Sequence, residues 1–145
     1  MWSLVIYGML VFASASPSGV PSNQISEKAI QHFKQSYREA SGERWTAGTD
    51  CYRVSFEKKS IKHIVDYNLN GRWRNTIRIY DESNLPGDLQ QTIKTAFIDS
   101  KIIIVNELNY RKNLSYFIKI RHEGWLKTIQ LTNGNMAVVE EFKEQ

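Results

Sequence analysis

The chain has 145 residues and a mass of 16.9 kDa, a length that favours one folded domain and is too short for most two-lobed cofactor enzymes. Hydrophobic residues make up 41% and charged residues 23%, which excludes disorder and collagen-like or coiled-coil repeats. The net charge is +4, which without clustering does not indicate nucleic-acid binding.

An apolar segment occupies the first part of the chain. The run from Trp2 to Ala15 is mostly apolar, and no charged residue precedes Glu27. It is shorter than the ~20 residues that a membrane-spanning helix needs, and the small residues before Ser16 suit cleavage by a signal peptidase. No Lys or Arg precedes the run, so a buried N-terminal strand or helix is the alternative. We predict a signal peptide at 1–15, a linker at 16–19 and a periplasmic or secreted domain at 20–145.

The single cysteine, Cys51, excludes an internal disulfide, so the fold must be held together by its core. It lies at the start of a predicted strand and is interpreted as a buried, inert thiol. A nucleophilic role would need a positioned base, and no nearby histidine motif supplies one.

Apolar spacing in the first half predicts one helix and three strands. The helix opens at Val20-Pro21 and ends at Gly42, with Trp45 in the connection that follows. Its apolar stripe is Ile25, Ala29, Ile30, Phe33, Tyr37 and Ala40. The strands are predicted at Tyr52–Phe56, Ile61–Tyr67 and Arg72–Tyr80. Asn70-Gly71 supplies the positive φ angles of a tight hairpin between the last two strands.

The second half repeats this order. Leu85-Pro86 opens a second helix, and Asn133-Gly134 gives a second tight hairpin signal. The helix has Leu89, Ile93, Ala96 and Phe97 on its apolar stripe. The strands are predicted at Ile102–Tyr110, Leu114–Ile120, Trp125–Leu131 and Met136–Phe142.

The two halves align at a nearly constant offset of about 64 residues. Phe33 matches Phe97, Val54 matches Ile118 and Gly71 matches Gly134. We therefore predict an α+β fold in which two tandem helix-plus-antiparallel-strands repeats form one sheet, with the helices packed on one face. The repeats are predicted at 20–81 and 85–142, and chance alignment of amphipathic segments is the alternative.

A family resemblance extends over residues 20–142. In the first half its motifs are the helix with Ala29, Phe33 and Tyr37 followed by Trp45, the strand Tyr52-Arg53-Val54-Ser55-Phe56, and the turn Asp66-Tyr67-Asn68-Leu69-Asn70-Gly71 followed by Trp73. In the second half they are the Leu85-Pro86 helix start, the strand Tyr116-Phe117-Ile118-Lys119-Ile120, and the Asn133-Gly134 hairpin. They resemble the PepSY-like family of exported bacterial proteins, whose fold is like that of the β-lactamase-inhibitor proteins. Thr132 departs from the family, which often has aspartate there. The resemblance implies a non-catalytic domain that binds or restrains a partner such as a hydrolase, and it implies no active site.

Motifs for catalysis or metal binding are weak. Asp66-x-Asn68-x-Asn70-Gly71 matches the first half of a calcium loop, but Ile77 stands where the loop needs its last acidic ligand. The three histidines share no metal-ligand spacing, and no nucleophile elbow, phosphate loop or dinucleotide glycine pattern is found. We predict that the protein is not an enzyme and has no cofactor or metal.

Three arginines are the candidate binding residues. Arg72, Arg74 and Arg78 alternate along the third strand and are predicted to share one face, where they could grip carboxylates or phosphates. A solvated sheet face or a protected edge is the alternative. An RNA platform would need exposed aromatic residues there, and Tyr80 is the only one nearby, so no nucleic-acid partner is predicted.

The sequence thus predicts an exported, non-catalytic binding domain, monomeric or weakly oligomeric, with no membrane contact after signal cleavage. A protein or peptide partner would contact the open sheet face or the hairpin tips. One alternative is a cone-shaped α+β enzyme or ligand-binding domain, with a deep apolar cavity and no internal symmetry. The other is a secreted structural domain that oligomerises through a sheet edge.

Overall fold

Two helices and one continuous antiparallel sheet make up the computed structural model, which describes residues 22–145. The predicted signal peptide, the linker and Val20-Pro21 lie outside the described residues. In chain order the elements are α1 (Glu27–Ser36), β1 (Ser41–Ala47), β2 (Cys51–Lys58), β3 (Ile61–Asn68), β4 (Trp73–Tyr80), α2 (Gly87–Ala96), β5 (Lys101–Tyr110), β6 (Asn113–His122), β7 (Trp125–Thr132) and β8 (Asn135–Lys143). Each strand pairs with its neighbours in sequence, so the sheet order is β1 to β8. The predicted fold class is confirmed.

The same series of elements occurs twice. Ser22–Gln24 forms a single 3-10 turn before α1 and β1 to β4, and Glu82–Asn84 forms its counterpart before α2 and β5 to β8. Both helices have ten residues and bury one apolar stripe, with Phe33 at the centre of the α1 stripe and Ile93 at the centre of the α2 stripe. A helix this short is marginal in isolation, so packing against the sheet stabilises each one.

The core consists of two clusters, and the second of them contains residues of both repeats. The cluster beneath α1 contains Ile25, Ala29, Phe33, Trp45, Val54, Phe56, Val65 and Tyr67. The cluster beneath α2 contains Ile61, Tyr80, Leu85, Ile93, Ile102, Val105, Ile118, Ile120, Ile129 and Leu131. Ile61 and Tyr80 come from β3 and β4 but pack in the second cluster, so the two repeats interlock and are expected to unfold together.

Strand β1 was missed in the sequence, and Gly42 was misinterpreted. Trp45 lies in β1 and is buried, opposite Val54 of β2, and is not part of a connection. Helix α1 ends at Ser36, and the chain reverses through Glu39, whose φ is +72°. Gly42 has a φ of +63° inside β1, beside a register shift in the β1–β2 pairing. A glycine with positive φ serves a β-bulge as well as a helix end, which explains the error.

A partly buried ionic cluster joins the repeats where β4 pairs with β5. Glu107 of β5 accepts Arg78 Nη1 at 2.9 and 3.0 Å and the Tyr80 hydroxyl at 2.6 Å. The Arg78 guanidinium also lies 5.3 Å from the centroid of the Tyr80 ring. Burial, and donation of its hydroxyl to Glu107, raise the pKa of Tyr80, so this hydroxyl remains a donor. The cluster fixes the register of the two repeats on the helix-bearing face.

His63 is buried beside this cluster on β3. Its ring stacks on Phe56 with centroids 5.0 Å apart, and its Nδ1 donates to the carbonyl of Ile61 at 2.8 Å. Burial lowers the pKa of His63, and the nearby cations Arg78 and Lys58 lower it further. The backbone hydrogen bond and the Glu107 carboxylate act in the opposite direction but do not reverse the shift.

The free energy of unfolding is therefore expected to decrease as the pH falls from about 7.5 to about 5.5. The unfolded chain binds a proton at His63 below its ordinary pKa of about 6.5, whereas the folded chain keeps the imidazole neutral. Urea denaturation at several pH values measures the slope, and His63→Gln should make it shallower. His122→Gln, at the end of β6, is the control; an equal effect of both substitutions would contradict the assignment to His63.

Candidate functional site: the uncovered sheet face

The helices occupy one face of the sheet, and no helix of residues 22–145 covers the other. Strand side chains alternate between the two faces. Val54 and Val65 lie in the core beneath α1, so their neighbours Arg53 and Asp66 point to the opposite side. That side is called the open face below, and its central residues are Arg53, Ile64, Asp66, Asn75, Ile77, Leu108, Tyr110 and Phe117.

A polar row crosses four strands of the open face. Arg53, Asp66, Asn75 and Tyr110 stand opposite one another on β2, β3, β4 and β5. Asp66 is buried; it accepts Arg53 Nε at 2.7 Å, a terminal guanidinium nitrogen of Arg53 at 2.9 Å, and Asn75 Nδ2 at 3.2 Å. The carboxylate is thus satisfied by strands on both sides of β3.

Arg53 is held rigidly but remains accessible. Its side chain is 37% exposed, and donation to Asp66 raises its pKa. Two of its three nitrogens are engaged by Asp66, which leaves the third free to donate to an acceptor on another molecule. A planar guanidinium fixed by a buried carboxylate loses little conformational entropy on binding, which favours its use in an interface.

Tyr110 lies at the other end of the polar row. It is 40% exposed, and the guanidinium of Arg111 lies 5.1 Å from its ring centroid. Tyrosine and arginine are among the residues that contribute most to protein interfaces, because they combine apolar area with directional hydrogen bonds. Arg53 and Tyr110 therefore bracket a row suited to contact with another protein.

An apolar row runs beside the polar one. Ile64, Ile77 and Leu108 stand opposite one another on β3, β4 and β5, and Phe117 of β6 lies in the next row. Ile64, Ile77 and Phe117 are buried although no helix of the described chain covers this face. The sheet that carries them has several β-bulges, which increase its twist.

The predicted arginine row is not formed, and a β-bulge in β4 is the reason. Asp66 stands opposite Asn75 but Tyr67 stands opposite Trp73, so Arg74 is an extra residue that breaks the alternation. Beyond the bulge, Thr76 accepts Trp73 Nε1 at 3.0 Å, which puts both residues on the helix-bearing face. The expectation that the three arginines share a face was therefore wrong.

Each of those arginines has its own surroundings. Arg78 lies on the helix-bearing face, bound to Glu107, and Arg74 donates to Asp50 of the β1–β2 turn at 3.2 Å. Arg72 is exposed in the turn that precedes β4. A binding role for Arg72, Arg74 and Arg78 stays a prediction, which the experiment below includes.

The side chains of the open face are better suited to recognition of another molecule than to catalysis. Burial, and the nearby carboxylates of Asp66 and Asp50, raise the pKa of the Cys51 thiol, which opposes thiolate chemistry. Asp66, the first residue of the calcium-like motif, is engaged by Arg53 and Asn75. Residues 22–145 contain no cluster of three or more His, Cys, Asp or Glu side chains able to hold a metal ion. Of the helices described here, none has the length and apolar character to cross a membrane.

Solved structures share this fold. A BLIP-like protein from Bacteroides fragilis is 15% identical, with a TM-score of 0.67 over 87% of this chain and 89% of that one. A DUF2874 family protein from Bacteroides ovatus is 16% identical, with a TM-score of 0.64 over 82% and 87% of the two chains. A protein of inferred periplasmic location from Bacteroides eggerthii is 14% identical, with a TM-score of 0.65 over 82% and 88%. No protein-family model and no curated protein matches the chain.

These likenesses concern the fold. They confirm the BLIP-like architecture that the resemblance implied, over more than four-fifths of each chain. At sequence identities of 14 to 16%, the activity, the partners and the site residues of those proteins cannot be transferred to this chain. Membership of the PepSY-like family stays a prediction.

Proposed function

We propose that this chain is an exported, non-catalytic binding domain that holds a folded protein partner against its open face. The observation that carries the proposal is the pre-organised Arg53, fixed by buried Asp66, in one row with the exposed ring of Tyr110. The adjacent apolar row adds little to the interface area, because Ile64, Ile77 and Phe117 are already buried and only Leu108 is partly exposed. Arginine and tyrosine are enriched among the residues that contribute most to protein interfaces.

Charge indicates an acidic partner surface. Besides Arg53, the open face carries Arg44, Lys62 and Lys119, and these three make no ion pair within residues 22–145. The carboxylates of Glu57 and Glu140 lie on the same face but do not outnumber the cations. The carboxylate of Asp66 is neutralised by Arg53. A partner that presents carboxylates would complement this face and be attracted to it at low salt.

Export and the lack of catalysis are parts of the same proposal. The signal-like segment and the inferred periplasmic location of one structural neighbour support export. Two depressions in the described chain, one along α2 and one beside the β1 bulge, are open to solvent. The repeated order of elements is unlike that of a cone-shaped domain with a single cavity. Both observations favour binding over chemistry.

The test starts with capture of partners from the periplasmic or secreted fraction, followed by calorimetry with each purified partner. Arg53→Ala combined with Tyr110→Ala is expected to weaken binding by about 100-fold or more, since each removes an interface anchor. Raising the salt concentration should weaken the parent complex further, because the partner surface is acidic.

Two matched variants separate the alternatives. Lys34→Ala with Ile98→Ala removes a cation and an exposed apolar side chain from the helix side and should leave the affinity unchanged. Joint replacement of Arg72, Arg74 and Arg78 by alanine tests the arginine prediction. If only that triple variant loses binding, or if the Arg53 and Tyr110 variant binds like the parent, the open-face proposal is wrong.

A further inference from the structure

The last strand of the sheet is an exposed edge. β8 pairs with β7 on one side and has no neighbour on the other within the described chain. Its apolar side chains Met136, Val138 and Phe142 are 43%, 47% and 56% exposed. An edge of this kind presents unpaired backbone amides and carbonyls, to which another strand can be added.

The internal repeat shows what pairs with such an edge. β4 is the counterpart of β8, and its outer side pairs antiparallel with β5, Asn75–Tyr80 against Val105–Tyr110. Thr76 holds the same register position in β4 as Val138 holds in β8, and Thr76 is buried where Val138 is exposed. The fourth strand of a repeat is therefore built to receive an antiparallel strand, and in the second repeat this position is vacant among residues 22–145.

Strand β1 of a second copy is a poor candidate for that position. β1 is the counterpart of β5, at an offset of 60 residues between Trp45 and Val105. The six residues of β5 that pair with β4 correspond to residues 45–50, but β1 ends at Ala47. Gly48 then donates its amide to the Cys51 carbonyl at 2.8 Å and turns the chain away. Head-to-tail addition would lack half of the pairing positions, so β8 of a second copy is the better partner of the two.

The charges of β8 do not prevent self-pairing. Glu141 is paired with Lys127 at 2.8 Å, and Glu140 accepts the hydroxyl of Thr128 at 3.0 Å, both on the neighbouring β7. Lys127 compensates the charge of Glu141 within one chain, which reduces repulsion across a two-fold axis, whereas Glu140 keeps its negative charge. The bulge of β8 lies at Val139, within the strand, whereas the bulge of β4 at Arg74 lies just outside the segment that pairs with β5, so self-pairing of β8 must accommodate one irregular position.

We propose that β8 pairs antiparallel with β8 of a second copy, so that two chains form one continuous sheet with two-fold symmetry. A two-fold axis perpendicular to the sheet puts both open faces on the same side. The dimer stands independently of the proposed function and would double the binding face if that function holds. One strand pair buries less than a standard interface, so the dissociation constant should lie in the micromolar range.

Sedimentation velocity of the purified protein from about 1 μM to about 500 μM tests the dimer, with a transition expected in that range. Val138→Lys inserts a charge at the centre of the edge and should weaken dimerisation by at least about tenfold. Leu69→Lys, an equally exposed apolar position in the β3–β4 turn, is the control and should dimerise like the parent.

Hydrogen exchange locates the interface and keeps the proposal testable if one variant folds poorly. Backbone amides of β8 should become more protected as the concentration rises, while those of β1 should not. Met136→Lys is the second variant, for use if circular dichroism shows that Val138→Lys is unfolded. A protein that stays monomeric throughout, or a dimer that survives both edge variants, overturns the proposal.

Discussion

Replacing Gly71 by alanine is expected to lower the free energy of unfolding by about 3 kcal/mol. Gly71 follows β3 in a tight turn with a φ of +83°, where the chain passes close to the start of α1. A Cβ atom here would lie 2.6 Å from Ser26 Oγ, 2.8 Å from Lys28 Cβ and 3.2 Å from the Ala29 amide nitrogen. The serine hydroxyl can rotate, but Lys28 Cβ and the Ala29 amide move only with the helix. Alanine must therefore displace α1 from the sheet. Urea denaturation followed by tryptophan fluorescence measures the loss.

The second repeat supplies the control for this prediction. Gly134 occupies the equivalent hairpin with a φ of +76°, but a Cβ there meets no atom within 4 Å. Gly134→Ala should lower the free energy of unfolding by about 1 kcal/mol, because alanine is strained in a left-handed backbone conformation. Asparagine tolerates the left-handed backbone conformation but still has a Cβ atom. Gly71→Asn should therefore be nearly as destabilising as Gly71→Ala, because its Cβ meets the same atoms of α1. Gly134→Asn should be almost neutral. Equal losses at the two glycines would show that close approach to α1 is not the cause.

The elements with strong local signals could be predicted from the sequence. Each helix carries a stripe of apolar residues, β2 alternates cleanly, and asparagine-glycine pairs mark two hairpins. Because these signals occur twice in the same order, they were sufficient to predict one sheet with both helices on one face. Strand β1 lacked a signal, since Trp45 is its one buried residue and Gly42 interrupts it. It forms a strand because β2 offers an edge, which is a tertiary effect.

The candidate site could be predicted in part. A two-residue turn at Lys59-Ser60 sets the β2–β3 register and brings Arg53 opposite Asp66, so this pair could have been found from the turn and the alternation. The bulge at Arg74 could not be predicted in this way, because one extra residue within a strand does not change the types of residue that the strand contains. This bulge is the reason that the three arginines do not share the one face that the alternation had predicted. Tyr110 joins the polar row through β4–β5 pairing between repeats, which local patterns do not specify.

Glu107→Ala is expected to destabilise the protein by about 3 kcal/mol, because it removes the shared acceptor at the junction of the repeats. The buried Tyr80 hydroxyl loses its partner at 2.6 Å and cannot reach water. The Arg78 guanidinium is partly exposed and can be rehydrated, which keeps the loss at the lower end of the range for a broken buried pair. Glu107→Gln keeps an acceptor for Tyr80 and should cost about 1 kcal/mol.

The second repeat again provides the comparison. Lys127 and Glu141 form an ion pair at the register position that His63 and Arg78 occupy in the first repeat, but Glu141 is exposed. Glu141→Ala should change the free energy of unfolding by less than about 0.5 kcal/mol. The transition of Glu107→Ala should remain a single step, because Ile61 and Tyr80 tie the first repeat to the core beneath α2. Two resolved transitions, or equal losses for Glu107→Ala and Glu141→Ala, would mean that this carboxylate does not couple the repeats.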